Sequence, residues 1–312
     1  MHVKGLAKLA ALAALVMGGG IYAAVPVATF AESKTLALQI ALDRRGFSCN
    51  TIDGQWGRMS QVALATYCAV NGYAVPPSPE LARDILFPRE RNLLRTETVT
   101  QREYDALVRI PATPEGKASL KAMGYETIME MYAERGHLTE GALRRLNPGV
   151  AWPNPPVGTL VKIPDFVNGQ GAASPKASVL RVTLSRFEIT AFDEKGRLVA
   201  LFPCSIAADK AKLPPEGELQ VTTLIPNPDY TYTPERVSRG GRIERRIFPP
   251  GPNNPVGTSW IGLTMLGYGI HGTPKPEQIG RAESHGCFRL ANWNAVRLRK
   301  MCETGTSVVV EK

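Results

Sequence analysis

The stretch GYGIHGTPKPEQIGRAESHGCFRLANW, residues 267–293, is the most informative part of this chain. It contains His271 and His285, two of the four histidines in 312 residues, and Cys287, one of the five cysteines. A cysteine thiol is mostly protonated at neutral pH, and a neighbouring imidazole can accept its proton and hold the resulting ion pair. This grouping therefore predicts an activated cysteine nucleophile.

The residues around Cys287 suit acyl transfer, which needs hydrogen-bond donors aimed at a developing oxyanion. Gly286 permits backbone conformations that a side chain would block, so the amides from His285 to Cys287 can converge on one point. Arg289 carries a planar guanidinium that can bind a substrate carboxylate. The run therefore contains a nucleophile, a base, an oxyanion site and an anion-binding side chain.

Two other roles for Cys287 are open from the residues alone. The thiol could bind zinc together with His271, His285 and Glu283, although no second cysteine or close histidine pair accompanies them. It could also form a structural disulfide, which would leave the two histidines without a role. We favour the catalytic thiol and expect no metal and no organic cofactor.

The N-terminal segment has the composition of a secretory leader. Lys4 and Lys8 are followed by a stretch without charged residues that ends in small residues just before Glu32. We expect residues 1–31 to be a signal peptide, although the apolar stretch is long enough to serve as an uncleaved membrane anchor. Both interpretations place the remaining chain outside the cytoplasm, in the periplasm or cell envelope.

The chain is basic, with a formal net charge of +9 at pH 7. Such a surplus suits an acidic polymer or surface. Export argues against nucleic acid as a partner, and the sequence has no basic stripe interleaved with aromatic residues. The charge therefore favours retention near a negatively charged envelope without identifying the ligand.

Cysteines of exported proteins are usually paired, and an odd number leaves one over. If Cys287 is that thiol, Cys49, Cys68, Cys204 and Cys302 allow three pairings. Cys49–Cys68 is the most plausible bridge because both residues fall within one short module, and Cys204–Cys302 would follow by elimination. The alternative is four buried thiols.

Residues 34–75 have a compact helical pattern. Gly46 is a predicted helix stop, and after the turn TIDGQWG we expect Ser60 to cap a second helix that runs through Cys68. The stretch LQIALDRRGFSCNTIDGQWGRMSQVALATYCAVNGY resembles the small three-helix peptidoglycan-binding-type module. A generic helical hairpin is the alternative interpretation.

Residues 98–166 contain a second helical pattern that ends in a short strand. The stretch YETIMEMYAERGHLTEGALRRLNPGVAWPNPPVGTLVKIP resembles the LysM carbohydrate-binding module, although no clear first strand precedes Tyr125. His137 lies here, and we expect it to be a surface or packing residue. A Gly/Ser/Pro-rich linker is predicted over residues 167–178.

The period of the sequence changes to two in the last part of the chain, residues 179–312. Six short runs are rich in β-forming residues: SVLRVTL, RFEITAF, RLVALFPCSIA, GELQVTTLI, TSWIGLT and TSVVVEK. One late helix is expected from a cap at Asn292. The chain is therefore predicted to be multidomain, with a mainly-β domain that follows small α and α+β modules.

The motif GYGIHGT…ESHGCFRL resembles the signature of the YkuD-type L,D-transpeptidases, and the resemblance covers roughly residues 176–312. It implies that Cys287 is the nucleophile and His271 the general base, oriented by a backbone carbonyl near Gly272. It also implies an exported enzyme that cross-links peptidoglycan stem peptides through a thioester, or attaches an envelope protein to them.

The same resemblance assigns the surroundings of the thiol. His285 and Gly286 would shape the oxyanion site, with Ser284 as support, and Arg289 would bind the substrate carboxylate. The arginine-rich insertion RVSRGGRIERRIFPPG would form part of a lid or rim. The N-terminal modules would hold the enzyme on glycan strands.

Two other functions fit the same sequence. An L,D-carboxypeptidase would share the thioester but use water as the acceptor, and a cell-wall binding protein would have lost activity altogether. The intact pair of His271 and Cys287 argues against the second.

Overall fold

The computed structural model describes residues 29–166, 175–234, 245–284 and 286–312. Nearly all of the predicted leader, most of the predicted linker, His285 and much of the arginine-rich insertion lie outside the described residues.

The helices of the described residues are α1 (Lys34–Arg44), α2 (Arg58–Asn71), α3 (Pro79–Leu86), α4 (Gln101–Asp105), α5 (Pro114–Ala118), α6 (Ile128–Arg135), α7 (Glu140–Leu146) and α8 (Asn292–Met301), with short 3-10 helices at Phe30–Glu32, Lys210–Lys212 and Pro276–Gln278. The strands are β1 (Leu94–Thr98), β2 (Leu160–Pro164), β3 (Val179–Thr183), β4 (Glu188–Phe192), β5 (Leu198–Pro203), β6 (Ile206–Ala207), β7 (Gly217–Pro226), β8 (Tyr230–Tyr232), β9 (Arg246–Phe248), β10 (Ser259–Leu263), β11 (Gly269–His271), β12 (Ala282–Ser284), β13 (Phe288–Arg289) and β14 (Ser307–Glu311).

Helices α1 to α3 share a small apolar core. Helix α2 is longer than predicted, and its N-cap position is Gly57 rather than Ser60. The Ser60 hydroxyl lies inside the helix and accepts a hydrogen bond of 2.9 Å from Nε2 of Gln39. The serine hydroxyl therefore bonds a side-chain amide on the neighbouring helix instead of capping its own helix. The local sequence does not reveal this choice of partner.

Strand β1 pairs with β2 in antiparallel register, and helices α4 to α7 lie between them in the chain. No strand before Tyr125 is predicted from the sequence, whereas the structure has β1 there. Its sequence, LRTET, contains one apolar residue, and none of its five side chains is fully buried. Pairing with β2 therefore forms the strand, whereas its own hydrophobic pattern does not signal it.

The C-terminal half is built on an eight-stranded sheet with the order β13-β11-β10-β7-β14-β3-β4-β5. The six predicted β runs are confirmed, as is the single late helix, α8. In β14 the side chains of Val308 and Val310 are buried while their neighbours are partly exposed, which is the expected alternation. Helix α8 packs Ala295, Leu298 and Met301 against the sheet core.

Helix α8 begins differently from the prediction. Its N-cap position is Ala291, and Asn292 is the first helical residue. The Asn292 side chain is 1% exposed and is used in tertiary hydrogen bonds instead of capping its own helix.

The N-terminal helices pack directly on the C-terminal domain. The Ser48 amide donates to the Leu201 carbonyl at 3.0 Å, and the Asn294 side chain donates to the Ser48 hydroxyl at 2.9 Å. His137 stacks between Phe166 and Trp293, with ring centroids 4.0 and 4.9 Å away. His137 is therefore a packing residue, as expected.

The two predicted disulfides are absent. Cys49, Cys68, Cys204 and Cys302 are buried thiols without a bridge. Each lies in an apolar cluster, where a thiol packs as a small hydrophobic side chain. Burial raises the pKa of Cys302 to about 12, so this thiol is neutral at any physiological pH.

Candidate active site

Two short parallel strands bring the predicted site residues together. Strand β11 pairs with β13 so that His271 lies opposite Arg289. Leu290 then donates its amide to the His271 carbonyl at 2.8 Å, which fixes the chain just after the SHGC run against the first residue of the HGT run. The pairing of these strands thereby brings together the segments that contain His271 and Cys287.

The His271 side chain is 6% exposed, and its Nδ1 donates to the Gly272 carbonyl oxygen at 2.6 Å. A carbonyl oxygen only accepts hydrogen bonds, so Nδ1 carries the proton and the lone pair of the neutral ring is on Nε2. Burial lowers the pKa of His271 to about 4, and the positive charge of Arg289 acts in the same direction. The imidazole is therefore a neutral base with its free nitrogen already selected.

Cys287 is partly buried, and its thiol donates a long hydrogen bond of 3.5 Å to the Gly267 carbonyl oxygen. Burial raises the pKa of Cys287 above its usual range, and a hydrogen bond from the Gly269 backbone opposes that shift only in part. The sequence analysis expected a thiolate–imidazolium ion pair. The structure instead favours a neutral thiol and a neutral imidazole on the wall of the same cavity, because burial disfavours both charged forms.

His271, Gly286, Cys287 and Arg289 border one open cavity of about 790 Å³. The remaining residues of its wall are Ile225, Pro228, Asp229, Tyr230, Thr231, Pro255, Val256, Trp260, Leu266, Gly267 and Tyr268. Apolar and aromatic walls with a few convergent polar groups are typical of a substrate site.

Gly286 is required by its backbone conformation rather than by lack of space. Its φ of +153° lies in the range that residues with a Cβ rarely adopt. A Cβ placed there would meet only the Lys212 carbonyl and the Tyr268 ring, at 3.6 Å, which is ordinary contact. The conformation sets the direction of the peptide group that precedes Cys287.

The structure describes some of the other predicted site residues and leaves His285 out. Gly272 supplies the carbonyl that orients His271. Ser284 is the last residue of β12, which pairs with β6, and His285 lies outside the described residues. Within the described part of the chain, no three His, Cys, Asp or Glu side chains are grouped to hold a metal ion. Because His285 is not among them, the zinc alternative is untested.

Sequence reasoning missed Trp260. This residue lies opposite His271 across the β10–β11 pair, and the two rings stack with centroids 5.6 Å apart and planes 16° apart. Gly269 leaves room for the indole, since a Cβ there would lie 2.6 Å from it. From the sequence alone, a tryptophan in an alternating strand is expected to be a core residue. Only the register of β10 against β11 shows that its ring covers the imidazole.

No helix among the described residues has both the length and the hydropathy to cross a bilayer. The predicted leader falls almost wholly outside these residues, so the choice between signal peptide and anchor is untested.

Comparison with known proteins identifies the C-terminal domain. Residues 177–310 match the YkuD family, described as the L,D-transpeptidase catalytic domain. A Bacillus subtilis protein provisionally named L,D-transpeptidase YqjB is 36% identical over 112 residues, which cover 34% of this chain and 57% of the relative. A Bacillus licheniformis protein provisionally named L,D-transpeptidase YkuD is 28% identical over 183 residues, 58% of this chain and 92% of the relative.

Among solved structures, the catalytic domain of an E. faecium L,D-transpeptidase acylated by ertapenem covers 43% of this chain and 97% of that one, with 21% identity and a TM-score of 0.33. At that score the likeness adds nothing to the assignment, which comes from the sequence matches. Residues 177–310 of this chain therefore form a YkuD-type L,D-transpeptidase catalytic domain.

Proposed function

We propose that this protein is an exported cysteine L,D-transpeptidase that acts on peptidoglycan stem peptides through a Cys287 thioester. The observation that carries the proposal is the neutral His271, whose Nδ1 is committed to the Gly272 carbonyl while its ring borders the same cavity as the Cys287 thiol. A base with a fixed tautomer and a nucleophile that face the same cavity fit the arrangement that acyl transfer requires.

The first half-reaction begins with a proton transfer. The Cys287 sulfur attacks the carbonyl carbon of the third, L-centred residue of the stem while Nε2 of His271 takes the thiol proton. The carbonyl oxygen becomes an oxyanion, which backbone amides beside Gly286 would stabilise. When the peptide bond breaks, His271 returns the proton to the departing D-amino acid, and a thioester remains on Cys287.

The second half-reaction reverses these roles. An amine of another stem, or of an envelope protein, attacks the thioester carbonyl and gives a proton to His271 as the new amide forms. The sulfur leaves and is reprotonated, so the enzyme returns to its starting state without an oxidant, a metal or an organic cofactor. Water in place of the amine would give a carboxypeptidase from the same intermediate.

Arg289 suits the binding of a carboxylate. Its side chain borders the cavity one strand away from His271, and its positive charge also keeps the imidazole neutral. A stem peptide is acidic, so the same guanidinium would attract the donor and protect the base from protonation.

The N-terminal half would place the enzyme on its polymer. We propose that residues 34–75 and 98–166 serve as peptidoglycan-binding-like and LysM-like modules, supported by the helices α1 to α3 and by the β1–β2 pair with its intervening helices. Retention on glycan strands would raise the local concentration of stems.

The test uses purified full-length protein and tetrapeptide stems, with products separated by mass. A cross-linked dimer supports transfer, whereas shortened monomer alone would assign a hydrolase. Cys287→Ala should abolish both products, and Cys302→Ala, which removes a buried thiol of the same domain, should retain them. A carbapenem such as imipenem should add one mass adduct that is absent only in Cys287→Ala. Turnover by that variant would refute the proposal.

A further inference from the structure

A second cavity, of about 560 Å³, lies where helices α6 and α7 meet the C-terminal domain, and it is bordered by Glu130, Glu134, Glu140 and Trp293. Its acidic side chains are not equivalent. Glu134 accepts a hydrogen bond from Asn292, which lies behind the active site, whereas Glu140 is exposed. The hydrogen bond of Glu134 is the first step of an indirect connection between the N-terminal region and His271.

The connection runs through Asn292. Its Nδ2 donates to Oε2 of Glu134 at 2.9 Å and to the Pro252 carbonyl at 3.1 Å, and its Oδ1 accepts from the Thr258 amide at 3.2 Å. Because Asn292 is 1% exposed, these bonds are shielded from water. The Glu134 carboxyl, the Pro252 carbonyl and the Thr258 amide thus together set which way the Asn292 amide faces.

The Asn292 oxygen packs against the backbone that orients His271. A Cβ on Gly272 would lie 2.3 Å from this oxygen, and a Cβ on Gly257 would lie 2.0 Å from it. The Gly272 carbonyl is the acceptor for Nδ1 of His271. A rotation of the Asn292 side chain would therefore displace the carbonyl that selects the tautomer of the base.

Hydrogen bonds of Asn253 hold the neighbouring segment, which lines the active-site cavity. Asn253 donates from its side chain to Glu130 at 2.7 Å and to the Gly124 carbonyl at 2.9 Å. Its backbone amide also donates to the Met123 carbonyl at 3.0 Å. The segment that continues to Pro255 and Val256 forms part of the active-site cavity. One side of the catalytic cavity is thus anchored to residues outside the catalytic domain.

The surroundings of Glu134 make its hydrogen bonds strong. The Tyr125 hydroxyl donates to its other oxygen, Oε1, at 3.0 Å. Burial raises the pKa of Glu134 to about 7, with nearby Glu130 acting in the same direction. A carboxyl in such a low-dielectric site binds a fixed amide donor tightly.

We propose that Glu134 is a positioning residue for the catalytic pair, acting through Asn292 on the Gly257–Thr258 and Gly272 backbone that holds His271. The inference rests on the proposed function for its kinetic consequence, but its structural consequence can be measured without catalysis. It assigns the N-terminal region a role in assembling the active site in addition to any binding of glycan.

The test compares four full-length variants with the wild type: Glu134→Ala, Glu134→Gln, Asn292→Asp and the double exchange Glu134→Gln/Asn292→Asp. Glu140→Ala is the matched control, since that glutamate borders the same cavity but has no contact to Asn292. Two quantities are measured: the rate of Cys287 acylation by imipenem, and the proton NMR signal of the His271 Nδ1–H, assigned with His271→Gln.

Glu134→Ala should slow acylation by roughly 10- to 100-fold, the range expected when a catalytic group is displaced by up to about 1 Å. It should also shift the Nδ1–H signal. Glu134→Gln, whose amide oxygen still accepts from Asn292, should stay within about threefold. Asn292→Asp places two carboxyl groups together and should impair both readouts. The double exchange should restore them in part, because glutamine then donates to aspartate while the Pro252 carbonyl still lacks the donor that Asn292 supplied.

The outcomes separate this inference from the proposed function. If the folded Glu134→Ala protein acylates normally and keeps its Nδ1–H signal, the positioning role is refuted while the transpeptidase assignment stands. If wild type is not acylated at all, the NMR signal still decides the positioning role. Should Glu134→Ala not fold, a double exchange no better than Asn292→Asp alone would overturn the inference.

Discussion

The neutral state of His271 makes the pH dependence of Cys287 acylation unusual. An exposed histidine has a pKa of about 6.5, so at pH 5.5 only about 9% of it would be neutral and able to act as a base. With the pKa of His271 lowered to about 4 by burial, about 97% is neutral at that pH. The acid limb of the acylation rate is therefore expected near pH 4.

Trp260 is the side chain to change, because its ring stacks on the imidazole within the β10–β11 pair. Trp260→Ala admits water to one face of His271 and should raise its pKa towards about 6.5. In the limit of full solvation, the rate at pH 5.5 would fall to roughly a tenth of its plateau. Trp260→Phe keeps an aromatic cover and should leave the limb close to the wild-type position.

The assay is single-turnover acylation by imipenem, followed by intact mass from pH 3.5 to pH 8 and normalised to each variant's plateau. Circular dichroism at each pH confirms that the protein is folded. Normalisation removes any uniform loss of rate, so that only the position of the limb is compared. A wild-type limb near pH 6.5, or a limb that stays near pH 4 in folded Trp260→Ala, would refute the reasoning.

Three further predictions follow from the same geometry. Gly272→Ala puts a Cβ 2.3 Å from the Asn292 oxygen and should destabilise the fold by about 1–3 kcal/mol in urea unfolding, whereas Gly149→Ala, in open space, should be neutral. Gly286→Ala has room for its Cβ but not the conformation, so we expect a strain of about 1–3 kcal/mol and a slowed acylation; unchanged kinetics would contradict the oxyanion role. Because the pKa of Glu134 is raised from 4.5 to about 7 on folding, its contribution to stability is present below pH 4.5 and lost as the pH rises through 7, by up to roughly 3 kcal/mol. Glu134→Gln should remove this loss between pH 4.5 and pH 8, and parallel stability–pH curves for the two proteins would count against it.

The predictable part of the fold is the part with a local signal. Strand β14 alternates buried and partly exposed residues over its five positions, which indicates both its type and its buried face. Strand β1 has no such pattern and exists because β2 pairs with it. Strands β11 and β13, three and two residues long, were also outside the reach of periodicity, although they bring the two halves of the site together.

The candidate site was predictable to the extent that its chemistry is concentrated in one motif. A rare histidine and a cysteine in a glycine-rich run mark a nucleophile and a base without any structure. Their protonation states were not predictable, because these depend on burial by residues distant in sequence. Trp260 reaches His271 through strand register, and Glu134 is linked by a hydrogen bond to Asn292 in a distant segment; neither residue has a local signal.

Burial of both members of the pair changes what the rest of the site must do. A preformed thiolate would carry its own reactivity, and the surrounding protein would only need to admit substrate. With the thiol and the imidazole both neutral at rest, charge would separate in the proposed mechanism only as the sulfur attacks, and the transition state would be more polar than the ground state. Dipoles that are already oriented stabilise such a transition state selectively, because they need no reorganisation when the charge appears. In the proposed mechanism the fixed Gly272 carbonyl would stabilise the imidazolium as it forms, so this carbonyl and the groups that hold it in place belong to the catalytic arrangement together with the sulfur.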